Sequence, residues 1–484
     1  MDYQALVIWL LQIILFDSGY MKRDVCSPLV RRMYDREIED VTKTELEGEW
    51  TSDRCEVRSG PEYITRKYTV YTNDIFDFTQ FYYGDADCTH PIFSITSQGS
   101  WTVSSKSRII SPGIYNSDYR LYRVVMMAYT EEVAAKLYSI INSTCSEKIW
   151  TKAWHPRESY VILHYVEHHD NTIDYDCTFS FDFSLNELQL VRVESSVENK
   201  QSIKKLLLGD VHTHRKIRKG YRPTAFQAPL LSANTKKCSV CKVIAKSDIK
   251  RPPILHHHGR TIAWDSLTGE WFSERCESRP GFHFLTRRLS FSSHGEWRGY
   301  YHYYSDVLCR DPLYTIKFYG SYKKFDYHRH MKAVRKLVLI AKRGSLKVED
   351  QRISDSVNNP LQSPCGIRGS WKVGVEQDIT KYHGCAALGI ALPFQKRQIA
   401  RVQRIHHHTE LLMGEWATSS NKHNYTPTSF QPPLKYCGKF ERKLDKMSPN
   451  SVISKPYWGP MGGATCCICE KFIVLLLCFL SLLF

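Results

Sequence analysis

The chain is built largely from one unit that occurs twice. Residues 46–101 align without a gap with residues 267–322 at an offset of 221, and 20 of the 56 aligned positions are identical. The ends of the units repeat as well, since YRPTAFQAPL at 221–230 resembles YTPTSFQPPL at 425–434. Such similarity within one chain indicates a duplication, so both copies are expected to share one fold. We therefore predict two tandem homologous domains, at residues 26–240 and 241–437.

The cysteines divide evenly between these two units. The candidate half-cystines are Cys26, Cys55, Cys88, Cys145, Cys177 and Cys238 in the first unit, and Cys241, Cys276, Cys309, Cys365, Cys385 and Cys437 in the second. Six cysteines in each copy of a secreted domain predict three disulfides per unit. Cys238 and Cys241 have a spacing that also occurs in redox proteins, but their position at the junction favours a structural role. The connectivity stays open.

The two ends of the chain indicate the secretory pathway. Residues 5–16 form an apolar run with the length of a signal-peptide core, and small residues follow it, which predicts a signal peptide at 1–19. A second apolar run ends the chain, and we assign residues 466–484 to a hydrophobic anchor behind a stalk at 438–465. A short membrane helix and a glycolipid-anchor signal are both open interpretations of this run. Asn142 and Asn424 lie in sequons and are the predicted glycosylation sites.

Alternation of apolar and polar residues predicts a mainly β fold. Phe76, Phe78 and Tyr82 share one parity, and residues 178–185 and 371–375 alternate in the same way. A period of two with many Tyr, Phe and Val residues is typical of half-buried strands. Residues 131–142 instead place apolar side chains at helical spacing and predict one short helix. We expect two antiparallel, half-open β-barrel-like domains, each with a short helix and disulfides, because curled sheets close to remove exposed edges.

Aromatic residues crowd one strand of each unit. They are Phe81, Tyr82 and Tyr83 in the first unit, and Tyr301, Tyr303 and Tyr304 in the second. Because a strand shows both faces, such a cluster cannot lie wholly inside one sealed core. We predict that one face lines an apolar pocket that binds a lipid; a filled core with a Tyr-rich outer surface is the alternative. Trp50 and Trp271 occupy equivalent places five residues before the first shared cysteine, and we predict that both are structural core residues.

The charge balance favours an anionic partner outside the cell. Lys and Arg total 66 against 50 Asp and Glu, which gives a formal net charge of +16. Such a surplus is typical of proteins that meet sulfated glycans, acidic lipids or nucleic acid. The predicted secretion excludes nucleic acid and leaves heparan sulfate as a candidate partner. The candidate contacts for heparan sulfate are the basic stretches at 215–222, 323–324, 329–336, 342–343 and 396–404. The alternative is that these stretches only form a positive face exposed to solvent.

No motif in the sequence predicts catalysis, a metal site or a cofactor. The nucleophile-elbow, zinc-protease, dinucleotide-binding and phosphate-loop patterns do not occur in it. The His triplets at 256–258 and 406–408 have no neighbouring Cys or Asp that would complete a metal site. His212 and His214 precede a basic stretch, which favours contact with phosphate or sulfate over metal. We therefore predict that the protein is not an enzyme.

Several long blocks of the sequence resemble one known family. They include GEWTSDRCEVRSGPEYITR, QFYYGDADCTHP, LQLVRV, YRPTAFQAPL and GSWKVGVEQDITKYHGCAALGIALP. These blocks look like the adenomatosis polyposis coli down-regulated family, and the similarity covers about residues 25–437. The resemblance implies a glycoprotein anchored to the plasma membrane, with its body outside the cell. It also implies inhibition of Wnt signalling through binding to Wnt ligands and their co-receptor.

Two functional interpretations follow from the residues and the resemblance together. In the first, the protein sequesters Wnt at the cell surface, and the acyl chain that Wnt proteins carry enters the predicted pocket. In the second, it is a cell-surface carrier that binds lipid or heparan sulfate and affects signalling only indirectly. A hydrolase acting on such a lipid is a third class, for which the sequence offers no catalytic motif.

Overall fold

The fold is known from a computed structural model. It describes residues 37–39, 43–104, 113–145, 152–165, 175–198, 201–236, 238–256, 259–261, 267–329, 331–359, 361, 364–405, 408–416, 418 and 425–438. The predicted signal peptide and anchor lie outside the described residues, as do Cys26, Asn424 and all of the predicted stalk after Gly438. We call 37–236 the first repeat, 238–256 the junction and 259–438 the second repeat.

The first repeat is an antiparallel sheet of short and long strands. The strands are β1 Glu37–Glu39, β2 Gly48–Thr51, β3 Glu56–Arg58, β4 Glu62–Val70, β5 Ile75–Tyr83, β6 Pro91–Val103, β7 Tyr115–Ala128, β8 Tyr160–His164, β9 Tyr175–Asp176, β10 Leu190–Glu198, β11 Gln201–Leu208 and β12 Leu230–Ser232. Eight of them close into a ring in the order β10–β11–β12–β2–β4–β5–β6–β7. The ring closes where Leu190 and Val191 of β10 pair with Asn116 and Tyr115 of β7. We call this the first ring.

The second repeat has the same architecture. Its strands are β13 Gly259–Thr261, β14 Gly269–Ser273, β15 Glu277–Arg279, β16 His283–Phe291, β17 Glu296–Tyr304, β18 Pro312–Tyr327, β19 Arg335–Val348, β20 Glu376–Asp378, β21 Gly384–Cys385, β22 Ile390–Ala391, β23 Phe394–Ile405, β24 His408–Met413 and β25 Leu434–Gly438. The second ring runs β23–β24–β25–β14–β16–β17–β18–β19 and closes by pairing of β19 with β23. The predicted pair of tandem, barrel-like β domains is therefore confirmed.

Helices are few among the described residues. They are α1 Lys43–Leu46, α2 Glu131–Thr144, α3 Ser239–Ala245 and α4 Gln351–Asn358, with 3-10 turns at Thr178–Phe181, Asn186–Gln189, Arg215–Gly220, Thr380–Tyr382 and Ala386–Leu388. The helix predicted at 131–142 is α2. It begins at Thr130, whose side-chain oxygen accepts the Val133 N–H, and α4 begins in the same way at Asp350.

A glycine permits the bend of the longest hairpin in each ring. Gly99 on β6 and Gly320 on β18 occupy equivalent positions, at a register shift in the pairing of each strand with its neighbour. A Cβ at either position would collide with the carbonyl oxygen opposite, of Arg120 or of Ile340. Only glycine fits where the bulge brings two backbones together.

Two segments predicted as strands have another conformation. Of residues 178–185, Thr178–Phe181 form a 3-10 turn that ends at Asp182, a left-handed residue with φ of 49°, and residues 183–185 are irregular. Residues 371–375 form turns, with Trp371 buried and Val373 and Val375 exposed. The alternation at 178–185 arises because Phe181, Phe183 and Leu185 all reach the core from an irregular segment. Period two is thus not specific to strands in short loops that cover a core.

Disulfides hold the loops of both repeats. Among the described residues the bonds are Cys55–Cys88, Cys145–Cys177, Cys238–Cys241, Cys276–Cys309 and Cys365–Cys385. Cys437 is also disulfide-bonded. The predicted boundary between residues 240 and 241 falls inside α3 and between the two cysteines of the junction. The structure therefore departs from three bonds contained within each unit.

Each ring encloses its own apolar core. In the first ring the core contains Trp50, Phe76 and Phe78, and α2 adds Ala134, Leu137 and Ile141 to the same cluster. The second core contains Trp271 and Trp297. The indole N–H of Trp50 donates to the Leu46 carbonyl at 2.7 Å, and that of Trp271 donates to the Leu267 carbonyl at 2.8 Å. The two tryptophans thus occupy equivalent buried places.

The two repeats contact each other through reciprocal pairs of equivalent residues. The Gly60 N–H donates to the Thr428 hydroxyl at 2.8 Å, and the equivalent Gly281 N–H donates to the Thr224 hydroxyl at 2.8 Å. Ion pairs join the equivalent residues Arg54 and Arg275 to acids of the opposite repeat, at 3.0 Å to Glu410 and 3.3 Å to Glu194. Reciprocity of this kind is the mark of an isologous contact, here within one chain.

Candidate functional site

The six aromatic residues singled out by the sequence divide between the two faces of their strands. Tyr82 packs against the core of the first ring, and Tyr301 and Tyr303 pack against that of the second. All three remain partly exposed although they face inward. Inward aromatic side chains that solvent still reaches can form the wall of a binding site.

The other three aromatic residues lie on the outer faces, where other parts of the chain cover them. Phe81 and Tyr83 form a cluster with Val240 and Ile244 of the junction, and the Tyr83 hydroxyl donates to the Pro253 carbonyl at 2.8 Å. Tyr304 packs in a cluster that mixes residues of both repeats, among them Leu207 and Phe226 of the first. The pocket prediction is therefore corrected for Phe81, Tyr83 and Tyr304, because alternate residues of a strand point to opposite faces.

A stacked aromatic pair lies inside each ring at equivalent positions. Tyr82 stacks on Phe93 with ring centroids 4.2 Å apart, and Tyr303 stacks on Tyr314 at 4.7 Å. In the second ring the ring centroids of Tyr301 and Phe318 are 5.9 Å apart, and those of Phe318 and Phe394 are 5.1 Å apart. The second ring thus carries a continuous aromatic wall along β17, β18 and β23.

Buried ionic groups lie inside the first ring next to its aromatic residues. Arg66 is fully buried and contacts Glu56 at 2.8 Å and Glu187 at 3.2 Å. Glu187 also accepts from Arg58 at 2.6 Å and from the Tyr68 hydroxyl at 2.7 Å. We call Glu56, Arg58, Arg66, Tyr68 and Glu187 the Arg66 cluster; its two cations face two carboxylates. Burial would raise the pKa of Glu187, but Arg58 and Arg66 outweigh it and lower the pKa to about 2.

The equivalent cluster in the second ring has fewer acids. Arg287 contacts Glu277 at 2.9 Å, and Arg279 contacts the other oxygen of Glu277 at 2.6 Å. Arg279 also donates to the Gln431 side chain at 2.5 Å. We call Glu277, Arg279, Arg287 and Gln431 the Arg287 cluster. Burial lowers the pKa of Arg287, whereas the pKa of Arg66 is raised despite burial because Glu56 and Glu187 face it.

Lys396 faces the interior of the second ring beside this cluster. It lies between Phe394 and Ala400 on the inward parity of β23, and both of those residues pack against the second core. Its side-chain nitrogen lies over the Trp416 ring, 2.8 Å from the ring centroid. Burial, with a smaller contribution from Arg279, lowers the pKa of Lys396 to about 6. Sequence reasoning placed Lys396 in a surface basic stretch and missed this position; the alternation Phe394, Lys396, Gln398, Ala400 was the available signal.

The predicted basic stretches are only partly free to meet a glycan. Arg218 contacts Glu62 at 2.6 Å, and Arg401 contacts Asp87 of the first repeat at 3.4 Å. Lys323, Lys342 and Arg343 are exposed on β18 and β19. These three residues belong to the part of the predicted heparan-sulfate contact that lies open on the surface, together with others such as Lys216, Lys324 and Arg397.

The remaining predicted features are placed as follows. Asn142 is exposed in the last turn of α2. The described parts of the chain contain no group of three or more His, Cys, Asp or Glu arranged to hold a metal ion. None of the helices described above has the length and apolar character needed to cross a membrane.

The fold and its disulfides define the class of protein. The chain forms two homologous antiparallel rings, and its several disulfides are typical of proteins that mature in the oxidising secretory pathway. The family described as adenomatosis polyposis coli down-regulated 1 matches the chain over residues 25–256 and 259–443. The chain therefore belongs to this family, as its sequence motifs indicated.

Proposed function

We propose that the protein is a membrane-anchored negative regulator of Wnt signalling, with its body outside the cell. In this proposal it binds a Wnt ligand through the acyl chain that the ligand carries, and a Wnt co-receptor is a further partner. Membership of the family supports the pathway. The observation that carries the mechanism is the inward aromatic wall of the second ring, where Tyr301 and Tyr303 keep part of their surface exposed.

A buried acyl chain fits this wall for a physical reason. Each methylene moved from water into an apolar site contributes about 0.8 kcal/mol, so even part of a long chain stabilises a complex strongly. The stacked pair Tyr303–Tyr314 and the contact of Phe318 with Phe394 offer flat apolar surfaces along one side. A ring of antiparallel strands is an architecture that houses single ligands in other proteins.

The test is capture of Wnt by the full-length protein displayed on cells. Wnt carrying its acyl chain should be captured, whereas Wnt made without the acyl chain should not. Tyr303→Asp places a charge on the inward face and should reduce capture by about tenfold or more, which corresponds to about 1.4 kcal/mol. Tyr300→Asp is the matched control, because Tyr300 is on the outward parity of the same strand and contacts Tyr319 and Lys317 there.

Two results would count against the acyl mechanism. Equal capture of acylated and unacylated Wnt would place the contact on an outer protein surface. Equal effects of Tyr303→Asp and Tyr300→Asp would remove the second ring as the site, provided that both variants reach the cell surface in normal amounts.

The second candidate function is that of a cell-surface carrier that binds heparan sulfate and acts on signalling indirectly. The exposed cations Lys323, Lys342 and Arg343 favour it. In that case soluble heparin should abolish capture of Wnt, and the acyl chain should make no difference.

A further inference from the structure

The junction packs on the outer face of the first ring. Its side chains Val240, Ile244 and Leu255 belong to one apolar cluster with Phe81 and Tyr83 of β5. The chain reaches this face directly after β12, the last strand of the first repeat. The first ring is therefore covered on its outside by the segment that follows its own last strand.

Side chains of the first ring also hold the backbone of the junction. The Lys67 ammonium donates to the Ala245 carbonyl at 2.6 Å. The Tyr129 hydroxyl donates to the Ile249 carbonyl at 2.8 Å, and the bond from Tyr83 described above is a third contact of this kind. Because the acceptors are backbone carbonyls, which every residue carries, this mode of binding accepts many sequences in the bound segment.

The predicted stalk repeats part of the junction. The alignment of 221–230 with 425–434, at an offset of 204, continues without a gap, so that SDIKRPP at 247–253 meets SVISKPY at 451–457. Ser, Ile and Pro recur at three of these seven positions, and Arg251 corresponds to Lys455. The repeated unit therefore includes the junction, and the stalk is its counterpart behind the second repeat.

The stalk also has the length to reach the equivalent place on the second ring. Ser232 of β12 pairs with Trp50, and Tyr436 of β25 pairs with the equivalent Trp271. From these two points the sequences SDIKRPP and SVISKPY both begin 15 residues further along the chain. Equal lengths of chain thus lead from equivalent points of the two rings to the repeated sequence.

The outer face of the second ring keeps side chains of the kind that hold the junction on the first. Arg288 stands in place of Lys67, and Tyr304 stands in place of Tyr83. Both bases contact a glutamate of the adjacent strand, at 3.5 Å in the first ring and 2.6 Å in the second. Both tyrosine hydroxyls lie beside a threonine hydroxyl of the neighbouring strand, at 3.1 Å and 3.5 Å. Donors of the same type therefore occupy equivalent places.

An acid takes the position of Tyr129 in the second ring. Tyr129 and Glu349 are equivalent, because their backbone N–H groups donate to the equivalent Ile92 and Leu313 carbonyls. Glu349 contacts Lys347 at 3.2 Å and keeps 24% of its side chain exposed. A cation from another segment of the chain has access to this carboxylate.

The segments have changed in the opposite sense. In the junction, Asp248 contacts Arg251 at 2.8 Å. The stalk has Val452 in place of Asp248 but keeps the base as Lys455. The acid has thus moved from the segment to the face of the ring, where it is complementary in charge to the base that the stalk retains.

We propose that residues 451–457 of the stalk dock on the outer face of the second ring, between Arg288 and Glu349, as residues 247–253 dock on the first ring. The proposal is independent of Wnt binding. Docking leaves eight residues, 458–465, before the predicted anchor, a reach of about 30 Å at most, whereas the 27 residues after Gly438 would reach about 95 Å. The docked stalk would therefore hold the second ring close to the membrane.

The experiment is photo-cross-linking in the purified full-length protein, kept in detergent micelles. A benzoylphenylalanine in place of Ile453 should cross-link within the chain to peptides of the second ring that contain Thr315 or Glu349. The same probe in place of Ile249 is the positive control and should mark the first ring near Tyr129. Mass spectrometry of the digested monomer identifies the peptides.

Two substitutions in the stalk distinguish its inward and outward residues. Tyr457 corresponds to the buried Pro253, so Tyr457→Asp should reduce the yield of the cross-link about threefold or more. Trp458 corresponds to Ile254, which is 47% exposed, so Trp458→Asp is the matched control and should leave the yield unchanged. Both substitutions lie outside the rings.

An exchange of charges tests the predicted ion pair. Glu349→Lys should reduce the yield about twofold or more, because it places two cations together. Lys455→Glu in the same chain should restore the yield, since the pair is then present in reverse.

Four results would overturn the proposal. A cross-link that joins two chains would assign the outer face to a second copy of the protein. A cross-link at residue 249 without any from residue 453 to the second ring would mean that the stalk does not dock. Equal effects of Tyr457→Asp and Trp458→Asp, or a double charge exchange that yields no more than Glu349→Lys alone, would exclude the proposed register.

Discussion

Glu415 gives the sharpest prediction of how stability depends on pH. It lies between the repeats, where it accepts a hydrogen bond from the Ser429 hydroxyl and donates its N–H to the Ser429 carbonyl at 2.9 Å. The Ser429 hydroxyl in turn lies 2.8 Å from that of Ser59. Burial, together with the negative charge of Asp210, raises the pKa of Glu415 from 4.5 to about 7, against a lowering by the Ser429 hydrogen bond and smaller ones by Arg279 and Arg218.

The sign of the effect follows from proton uptake. Between pH 4.5 and about 7 the folded protein holds a proton on Glu415 that the unfolded chain has released. Stability from this group is therefore fully present below pH 4.5 and is lost as the pH rises to 7. At about 1.4 kcal/mol per pH unit the upper limit is about 3 kcal/mol, and we expect a loss on the order of 1–3 kcal/mol.

Glu415→Gln removes this loss, since an amide stays neutral and has the same shape. We expect denaturant unfolding of the purified full-length protein to give the variant and the natural protein similar stability at pH 5. At pH 8 the variant should be more stable by about 1–3 kcal/mol. Glu296→Gln changes an exposed acid and should produce no such pH-dependent difference. A stability gap that is constant with pH, or that grows toward acid, would refute the reasoning.

Three further predictions test the cores and the disulfides. Trp50→Ala and Trp271→Ala should each lower the free energy of unfolding by about 3–5 kcal/mol, because both indoles are buried at equivalent places. Denaturant unfolding measures this loss, and a loss below about 1 kcal/mol in either variant would contradict the core assignment. By the same measurement, Glu187→Ala should lower the free energy of unfolding by about 3–5 kcal/mol at pH 7, since it leaves the buried Arg58 and Arg66 without this carboxylate. An unchanged free energy of unfolding would mean that solvent reaches the two arginines and replaces the lost interaction. Alkylation of the unreduced protein followed by mass measurement should label none of the cysteines from 55 to 437, and two or more labelled thiols would contradict the bonding described here.

The fold class was predictable because its signals are local or internal to the sequence. The duplication required two copies of one domain, and period two in segments such as β5 predicted strands correctly. The same period failed at 178–185, because a loop pressed against a core also alternates. The equivalent placement of Trp50 and Trp271 followed from the alignment alone.

The candidate site was predictable only in part. Alternation separates Tyr82 from Phe81 and Tyr83, but the sequence does not tell which face of the strand is inside. That assignment depends on how the ring closes, through pairings such as Val191 with Tyr115 that join residues far apart in the chain. The outer faces were also undecided, since the junction and the other repeat cover them only after the repeats have packed.

The sequence by itself determined that the chain folds as two copies of a disulfide-bonded β domain, because repetition and period two are properties of the chain. The tertiary structure alone decided that Lys396 lies on the inward face of β23, between residues that pack against the second core. From the sequence, Lys396 was assigned to a surface basic stretch. Its neighbours in the structure are Arg279, which is far away in the sequence, and Trp416, which follows strand β24. Closure of the ring brings charged side chains together and shields them from water, which is what shifts their pKa values. A local sequence pattern cannot predict this, because the contacting residues are far apart in the chain.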